Sequence, residues 1–561
     1  MVEGVAEARQ LTAGEARRSR LARWAWPAAL AVAAVALYLC YFRLSGTTPD
    51  NSDGSDQALQ ALDMLHGNWL LHGWTVGDVS YYTTELPEYI IVEKILGFGP
   101  GVIHVAAAVT YTLLVLLAGL LARGRATGKE GVLRALIASG ILLAPQLGHG
   151  VGLLLAMPDH LGTQVPLLVI FLVLDRAQCS PGGTTPPVPP ARGRWYTPVA
   201  IGVMLTWVII ADRVAVFDAA LPLAVVGGIR GGWALFRRRG PAGAPWFEFS
   251  LAAAGIASYA VSQRVVSVIG HLGGYTSLPL ATQHFATLGD IWPHVVLTVR
   301  GFFILYGAWF GGLSSWLAVA FAVVHLAGLA LAAWGFCRAI RRFFSAEDLI
   351  VPVMAMGIVF NLAAYIVSVI PVTWFDTREI GAVLPLGAVL AGRLLAGPLA
   401  RAWLRPVLAG VLACYAAALG YGMAQPAVFD SEQPVVGWLE AHHLRAGLGT
   451  YAESNIITLD SGGRVAVRTV TWQLPRPVPR AYESEASWYD PRLSYANFVV
   501  INSADARPGR HGIIIPPGDI LALAGPPART YHYKTYTIWV WNRNLLADLG
   551  GPPSPLPGDL S

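Results

Sequence analysis

The sequence predicts an α-helical polytopic membrane protein of about eleven transmembrane helices with a small C-terminal α/β domain. Three observations carry that fold class. Charged residues make up 13% of the 561, about half the ~25% usual in soluble globular chains. Hydrophobic residues reach 55%, and the mean hydropathy is +0.52. The apolar residues gather into runs near the ~20 that cross a hydrocarbon core, until the stretch 424–561, which alone has soluble composition. A soluble enzyme, a disordered chain and a nucleic-acid-binding domain are excluded as the main object.

Residues 1–23 hold Arg9, Arg17, Arg18, Arg20 and Arg23 and read as a cytoplasmic N-terminal segment. The first span, 24–42, is too long and too poorly followed by small residues for a cleaved signal peptide. Further spans are expected at 101–122, 132–156, 161–175, 197–211, 214–229, 248–269, 316–336, 349–370, 379–396 and 406–423, so the membrane domain covers 24–423. The Gly-broken apolar segment 302–313 reads as interfacial or re-entrant. Basic clusters test the count: Arg123, Arg125, Lys129 and Arg134; Arg176, Arg192 and Arg194; Arg230 and Arg237 to Arg239; Arg338, Arg341 and Arg342; Arg393, Arg401 and Arg405. With eleven spans all of them are cytoplasmic, as the positive-inside rule asks. The N-terminus is then inside and the C-terminal domain extracytoplasmic. The net charge of +5 is accounted for by these clusters and points to no nucleic acid partner. The Pro-rich stretch 181–198 reads as a linker. None of the four cysteines, Cys40, Cys179, Cys337 and Cys414, falls in the tail, so no disulfide framework is implied.

In the tail, 424–561, Gln433 to Leu444 has helical periodicity. Arg464 to Thr471, Asn497 to Asn502 and Thr535 to Trp541 read as strands, and Pro516-Pro517-Gly518-Asp519 opens a short helix. No G-x-G-x-x-G fingerprint follows a strand.

Chemistry is expected in the first outer loop, 44–99, which carries eight acidic residues and a single lysine. Ser52 to Gln57 opens an amphipathic helix marked by Ala58, Leu59, Ala61, Leu62 and Leu65. Asp53 with Asp56 three residues on resembles a capping box. Capping explains one acid but not three acids within seven residues, so capping alone and capping plus a catalytic acid both stand. A carboxylate here suits general-base work on an acceptor hydroxyl. Asp159-His160 either caps the next span or orients a substrate; a divalent cation, Mg or Mn, is an open use for the pair. Arg213 and Arg378, at outer tips, either snorkel and ion-pair or clamp a lipid phosphate. Tyr81 and Tyr82 suit sugar stacking or an interfacial aromatic belt. Arg264 and His149 fall inside apparent spans, where an ionisable group is a functional hypothesis.

The segment NSDGSDQALQALDMLHGNWLLHGW, the run REIGAVLPLGAVLAGRLL from Arg378, and GLGTYAESNIITLDSGGRVAVR in the tail resemble the GT-C superfamily. More narrowly they resemble bacterial membrane glycosyltransferases related to protein O-mannosyltransferases and lipid A aminoarabinose transferases. The resemblance implies a polyprenyl-phosphate sugar donor used on the outer face, with inversion at the anomeric carbon and a glycan, lipid or protein acceptor. It implies Asp53 as base and Arg378 as donor-phosphate contact, with Arg213 the alternative. The chain departs from the pattern twice: Asp53 is followed by Gly54 instead of an acid, and Glu379 replaces a tyrosine. A transporter or flippase of a lipid-linked precursor is the alternative; broken helices and repeats would favour it.

Overall fold

The computed structural model describes residues 27–177, 196–237, 245–278, 285–344, 348–428, 433–473, 476–503 and 517–549. The N-terminal segment, much of the Pro-rich linker and Cys179 lie outside them.

The chain is polytopic. Among the described residues, eight helices are long and apolar enough to cross a membrane by length and composition. The first, α1 (Pro27–Ser45), is followed by α2 (Ser52–Leu65) and α3 (Glu85–Leu96), which belong to the long loop. Then come α4 (Gly101–Arg123), α5 (Gly128–Leu142), α6 (His149–Leu154), α7 (Leu161–Ala177), α8 (Tyr196–Ala211), α9 (Leu221–Arg237) and α10 (Trp246–His271). The bundle ends with α11 (Ile291–Leu305), α12 (Trp316–Arg341), α13 (Ile350–Val367), α14 (Val383–Leu399) and α15 (Arg405–Met423). Large apolar side chains remain exposed around it, among them Val203, Trp246, Ile256 and Trp316, a surface that suits lipid and not water. α14, buried along most of its length, packs on α4, α5, α12 and α13 and centres the core.

Three sequence expectations need correction, the unbroken span 132–156, the outer loop 270–300 and the interfacial segment 302–313, while the expected span 214–229 is present as Val216–Phe236. The run 132–156 is largely apolar, but α5 stops at Leu142 and α6 begins at His149. Pro145 lacks a backbone donor and Gly148 sits at φ 77°, so hydropathy continues where the helix cannot. Segment 214–229 is entered by a π-helical turn, Val216–Ala220, that runs directly into α9. The expected outer loop 270–300 contains α11, whose apolar face carries Trp292, Val296 and Val299. Segment 302–313 is the end of that helix and the Gly307 turn beyond it.

The tail is an α/β domain, as expected. Helices α16 (Gln433–Ala441), α17 (Tyr451–Asp460) and α18 (Pro517–Ala524) flank a six-stranded sheet. Its order is β5 (Arg476–Pro479), β4 (Ala466–Gln473), β3 (Ala446–Gly449), β7 (Phe498–Asn502), β9 (Tyr536–Val540), β8 (Arg529–Tyr533). β3 pairs parallel with both β4 and β7; the outer pairings are antiparallel. Strand alternation sorts the core. Phe498 and Val500 join α16 and α17 on one face, and Val499 joins Ile520 and Leu545 on the other.

A second, three-stranded sheet fastens the tail to the bundle. β1 (Trp74–Val76), from the long loop, lies between β2 (Thr276–Ser277) and β6 (Ser484–Glu485). Thr75 is paired with Thr276 on one side and Ser484 on the other. α17 packs on α2, with Ser52 Oγ donating to the Tyr451 carbonyl at 2.6 Å.

Candidate active site

The site begins with the N-terminus of α2. Its cap is Asn51, whose Oδ1 accepts from the Gly54 amide at 2.7 Å. Asp53, in the first turn, does not cap. Its carboxylate is left for other partners while remaining next to the positive end of the helix.

Those partners come from distant parts of the chain. Arg378 Nη1 donates to Asp53 Oδ2 at 2.7 Å and lies 2.9 Å from Asp159 Oδ2. Tyr451 Oη reaches Asp53 Oδ1 at 2.6 Å. Burial works to raise the Asp53 carboxyl, but the Arg378 guanidinium and the Tyr451 hydrogen bond outweigh it and hold Asp53 below the ordinary carboxylate value. Arg378 sits in a 3₁₀ turn, Phe375–Ile380, its guanidinium 4.7 Å from the Phe375 ring. Asp376 shapes the turn by accepting from the Val372 amide at 2.9 Å.

His160 forms the second half of the cluster. Nδ1 is 2.9 Å from Asp212 Oδ2, and Nε2 is 3.0 Å from Glu379 Oε1. Thr163 donates to the same Asp212 oxygen at 2.9 Å. Burial opposes a charge on the imidazole, but Glu379, Asp159 and Asp212 together push its pKa well above the ordinary histidine value. Tyr81 meets the ring edge-on, centroids 5.8 Å apart, from a backbone at φ 49°. Beneath, Asn361 donates to Asp218 Oδ1 at 2.9 Å and to the Glu379 carbonyl at 3.1 Å, and Gln164 donates to Asp218 at 2.7 Å.

The tail domain closes the other side. Arg480 lies 4.1 Å over the Tyr451 ring and 4.9 Å from the Tyr482 ring. Glu483 is buried and bonded to the Tyr451 hydroxyl. Asp56 is buried too, held by Gln60, and burial raises it well above the ordinary range.

Of the expected residues, the structure brings together Asp53, Asp56, Asp159, His160, Tyr81 and Arg378. It does not bring in Tyr82, whose hydroxyl donates to the Trp69 carbonyl at 2.7 Å and whose ring packs on Tyr275. Nor, among the described residues, does an ion pair join Arg213 to the cluster; its charge acts on the Tyr275 hydroxyl. His149 packs against Trp374, centroids 4.4 Å apart. Both His160 nitrogens face carboxylates, and among the described residues no group of three His, Cys, Asp or Glu side chains is placed to hold a metal ion. The sequence reading missed Asp212 and Glu379 as partners of His160, and missed Tyr451, Arg480 and Glu483 altogether.

No family model and no curated protein matches this sequence. The likeness is one of structure. ArnT from Cupriavidus metallidurans in the apo state superposes with a TM-score of 0.54 at 14% identity, over 95% of this chain and 100% of that one. The chain has the ArnT fold. The same protein bound to undecaprenyl phosphate gives a TM-score of 0.53 at 13% identity, over 94% and 99%. The ArnT likeness spans both the bundle and the tail, so the two parts found here to share one site also belong to one fold.

Proposed function

We propose that this protein is an inverting glycosyltransferase that moves a sugar from a polyprenyl-phosphate donor to an acceptor hydroxyl on the outer face of the membrane. The observation that carries the reading is the state of Asp53. It is relieved of capping by Asn51, bonded to Arg378 and placed where the first outer loop, the 3₁₀ turn before α14 and the tail meet. The ArnT structure holding undecaprenyl phosphate supports a lipid-linked donor. The basic residues that close α4 and α12 (Arg123, Arg341) stand at the opposite helix ends and support an outward-facing site.

In a single displacement the acceptor oxygen bonds to the anomeric carbon as its proton passes to Asp53. The bond from that carbon to the phosphate oxygen breaks, and its electron pair leaves with the polyprenyl phosphate. Arg378 serves both events. Its Nη1 orients the base, while its Nε, buried without a hydrogen-bond partner among the described residues, is available to a phosphate oxygen.

The test is release of undecaprenyl phosphate from a panel of undecaprenyl-phosphate-linked hexoses and pentoses by the purified protein in nanodiscs. Release that disappears in Asp53→Asn is expected. Turnover at the wild-type rate by Asp53→Asn removes Asp53 from the chemistry.

A further inference from the structure

We propose that Glu483 and Tyr451, from the tail domain, form a proton relay that discharges Asp53 after each transfer. This deepens the assignment of Asp53 as base and rests on it.

The argument is a count of protons. The Tyr451 hydroxyl has one hydrogen to donate. Two carboxyl oxygens contact the same Oη: Asp53 Oδ1 at 2.6 Å, and Glu483 Oε2 in closer contact still. Tyr451 can donate to one of them; the other must donate to Tyr451 and is therefore a carboxylic acid. Arg378 decides which. It is bonded to Asp53, and the N-terminus of α2 adds to the same field. The resting order is thus Glu483 acid, Tyr451 hydroxyl, Asp53 carboxylate, each donating to the next.

The groups around Glu483 agree. From α2 it faces Asp53 and Asp56, from α17 Tyr451, from its own segment Arg480 and Tyr482, and from the loop after β1 Gly77, next to Asp78. Burial, with the Asp53 charge behind it, pushes Glu483 up to about 8 against the opposing Arg480 charge. The backbone at Glu483 adopts φ 53°, a left-handed conformation that a non-glycine residue enters at a cost. Gly77 leaves the space in which a Cβ would meet Tyr482 Oη at 3.2 Å and Glu483 Oε1 at 3.3 Å. Local conformation is thus spent on aiming this carboxyl at Tyr451.

The cycle balances. Asp53 takes the acceptor proton. Glu483 releases its own proton to water, and the Tyr451 hydroxyl turns to donate to the new Glu483 carboxylate while accepting from Asp53. Asp53 then passes its proton to Tyr451 as Tyr451 passes its own to Glu483. One proton enters from the acceptor, one leaves to solvent, and the resting order returns. Tyr451 and Glu483 are positioning residues in this scheme, since they act through Asp53.

The experiment uses the full-length protein in nanodiscs with the near-isosteric variants Tyr451→Phe and Glu483→Gln, beside Asp53→Asn. An infrared difference spectrum, wild type minus Glu483→Gln, is expected to show a protonated carboxyl band at neutral pH. Its absence overturns the relay whichever donor the enzyme uses. With a donor from the panel, kcat is measured between about pH 5 and pH 9. Both variants are expected to lose about 10-fold in kcat, less than the ~10²–10⁴-fold carried by a group that itself moves the reacting proton, with KM for the donor unchanged, and Glu483→Gln is expected to lose the acid limb of the profile. Wild-type kcat and limb in both variants, or a loss confined to KM as expected of a purely structural latch, overturns the proposal. Asp53→Asn separates the two readings. If it is inactive while the other two behave as wild type, the relay alone fails. If it turns over normally, the base assignment fails first.

Discussion

Two arginines each hold a pair of carboxylates, at opposite ends of the bundle. Arg393 pairs with Asp175 from α7 and Asp348 from the start of α13, and its Nε donates to the Leu121 carbonyl at 2.9 Å. It ties α4, α7, α13 and α14 together, and its acids have no further ionic partner among the described residues. Arg378 pairs with Asp53 and Asp159 but does not complete its surroundings. Asp212, Glu379, Asp56 and Glu483 all lie close by, with His160 and Arg480 as the remaining cations. The Arg393 clamp closes on its own two acids; the Arg378 cluster carries further titratable groups beyond its pair, left for a substrate or a proton to resolve.

The largest expected effect tests that distinction directly. Asp53→Asn should lower transfer by about 10²–10⁴-fold with little change in thermal stability, measured as polyprenyl phosphate release alongside the melting temperature. Arg393→Met should do the reverse. Removing one partner of a buried ion pair costs about 3 kcal/mol, so the melting temperature in detergent should fall while the kcat of the surviving folded protein stays at the wild-type level. Equal losses of activity in both variants would erase the contrast.

A third prediction sharpens it through pH. Glu85, buried at the start of α3 with one oxygen lacking a hydrogen-bond partner among the described residues, is pushed up to about 8 by burial despite the hydrogen bond from Thr84. A carboxyl raised on folding favours the folded state while it is protonated. Its contribution is complete below the ordinary carboxylate range and is lost as pH rises toward about 8. The melting temperature should fall between about pH 5 and pH 8, and Glu85→Gln should flatten that slope. The smallest effect concerns a look-alike. Ser45 Oγ is 2.8 Å from His104 Nδ1, and His104 Nε2 is 2.9 Å from Asp50, in the order of a nucleophilic triad. All three are buried, and Ser45 also donates to the Leu155 carbonyl at 2.6 Å. Ser45→Ala should cost about 1 kcal/mol of stability and leave transfer unchanged in the same release assay.

The bundle and its α/β tail were legible because hydropathy reports spans and alternation reports strands. The breaks were not: Pro145 and Gly148 interrupt a run that is strongly apolar on either side, so average hydropathy bridges them. Asp53, Asp159, His160 and Arg378 were legible as polar residues at predicted outer tips. Their mutual arrangement was not, because 325 residues separate Arg378 from Asp53. Tyr451 lay inside a segment noted only for its resemblance, and Glu483 in one read as featureless tail. Neither carries a periodic signal, since their position depends on a two-residue strand, β6, finding a three-residue partner, β1.

That small sheet bears on how the chain can be recombined. β1 is its middle strand, with one neighbour drawn from the loop after α10 and the other from the tail. A crossover near residue 424, where hydropathy marks the obvious seam, would transplant Tyr451 and Glu483 away from the Thr75 edge that registers them. Tail and first loop are therefore expected to be inherited as one module, and chimaeras exchanging both together should succeed where exchange of the tail alone does not.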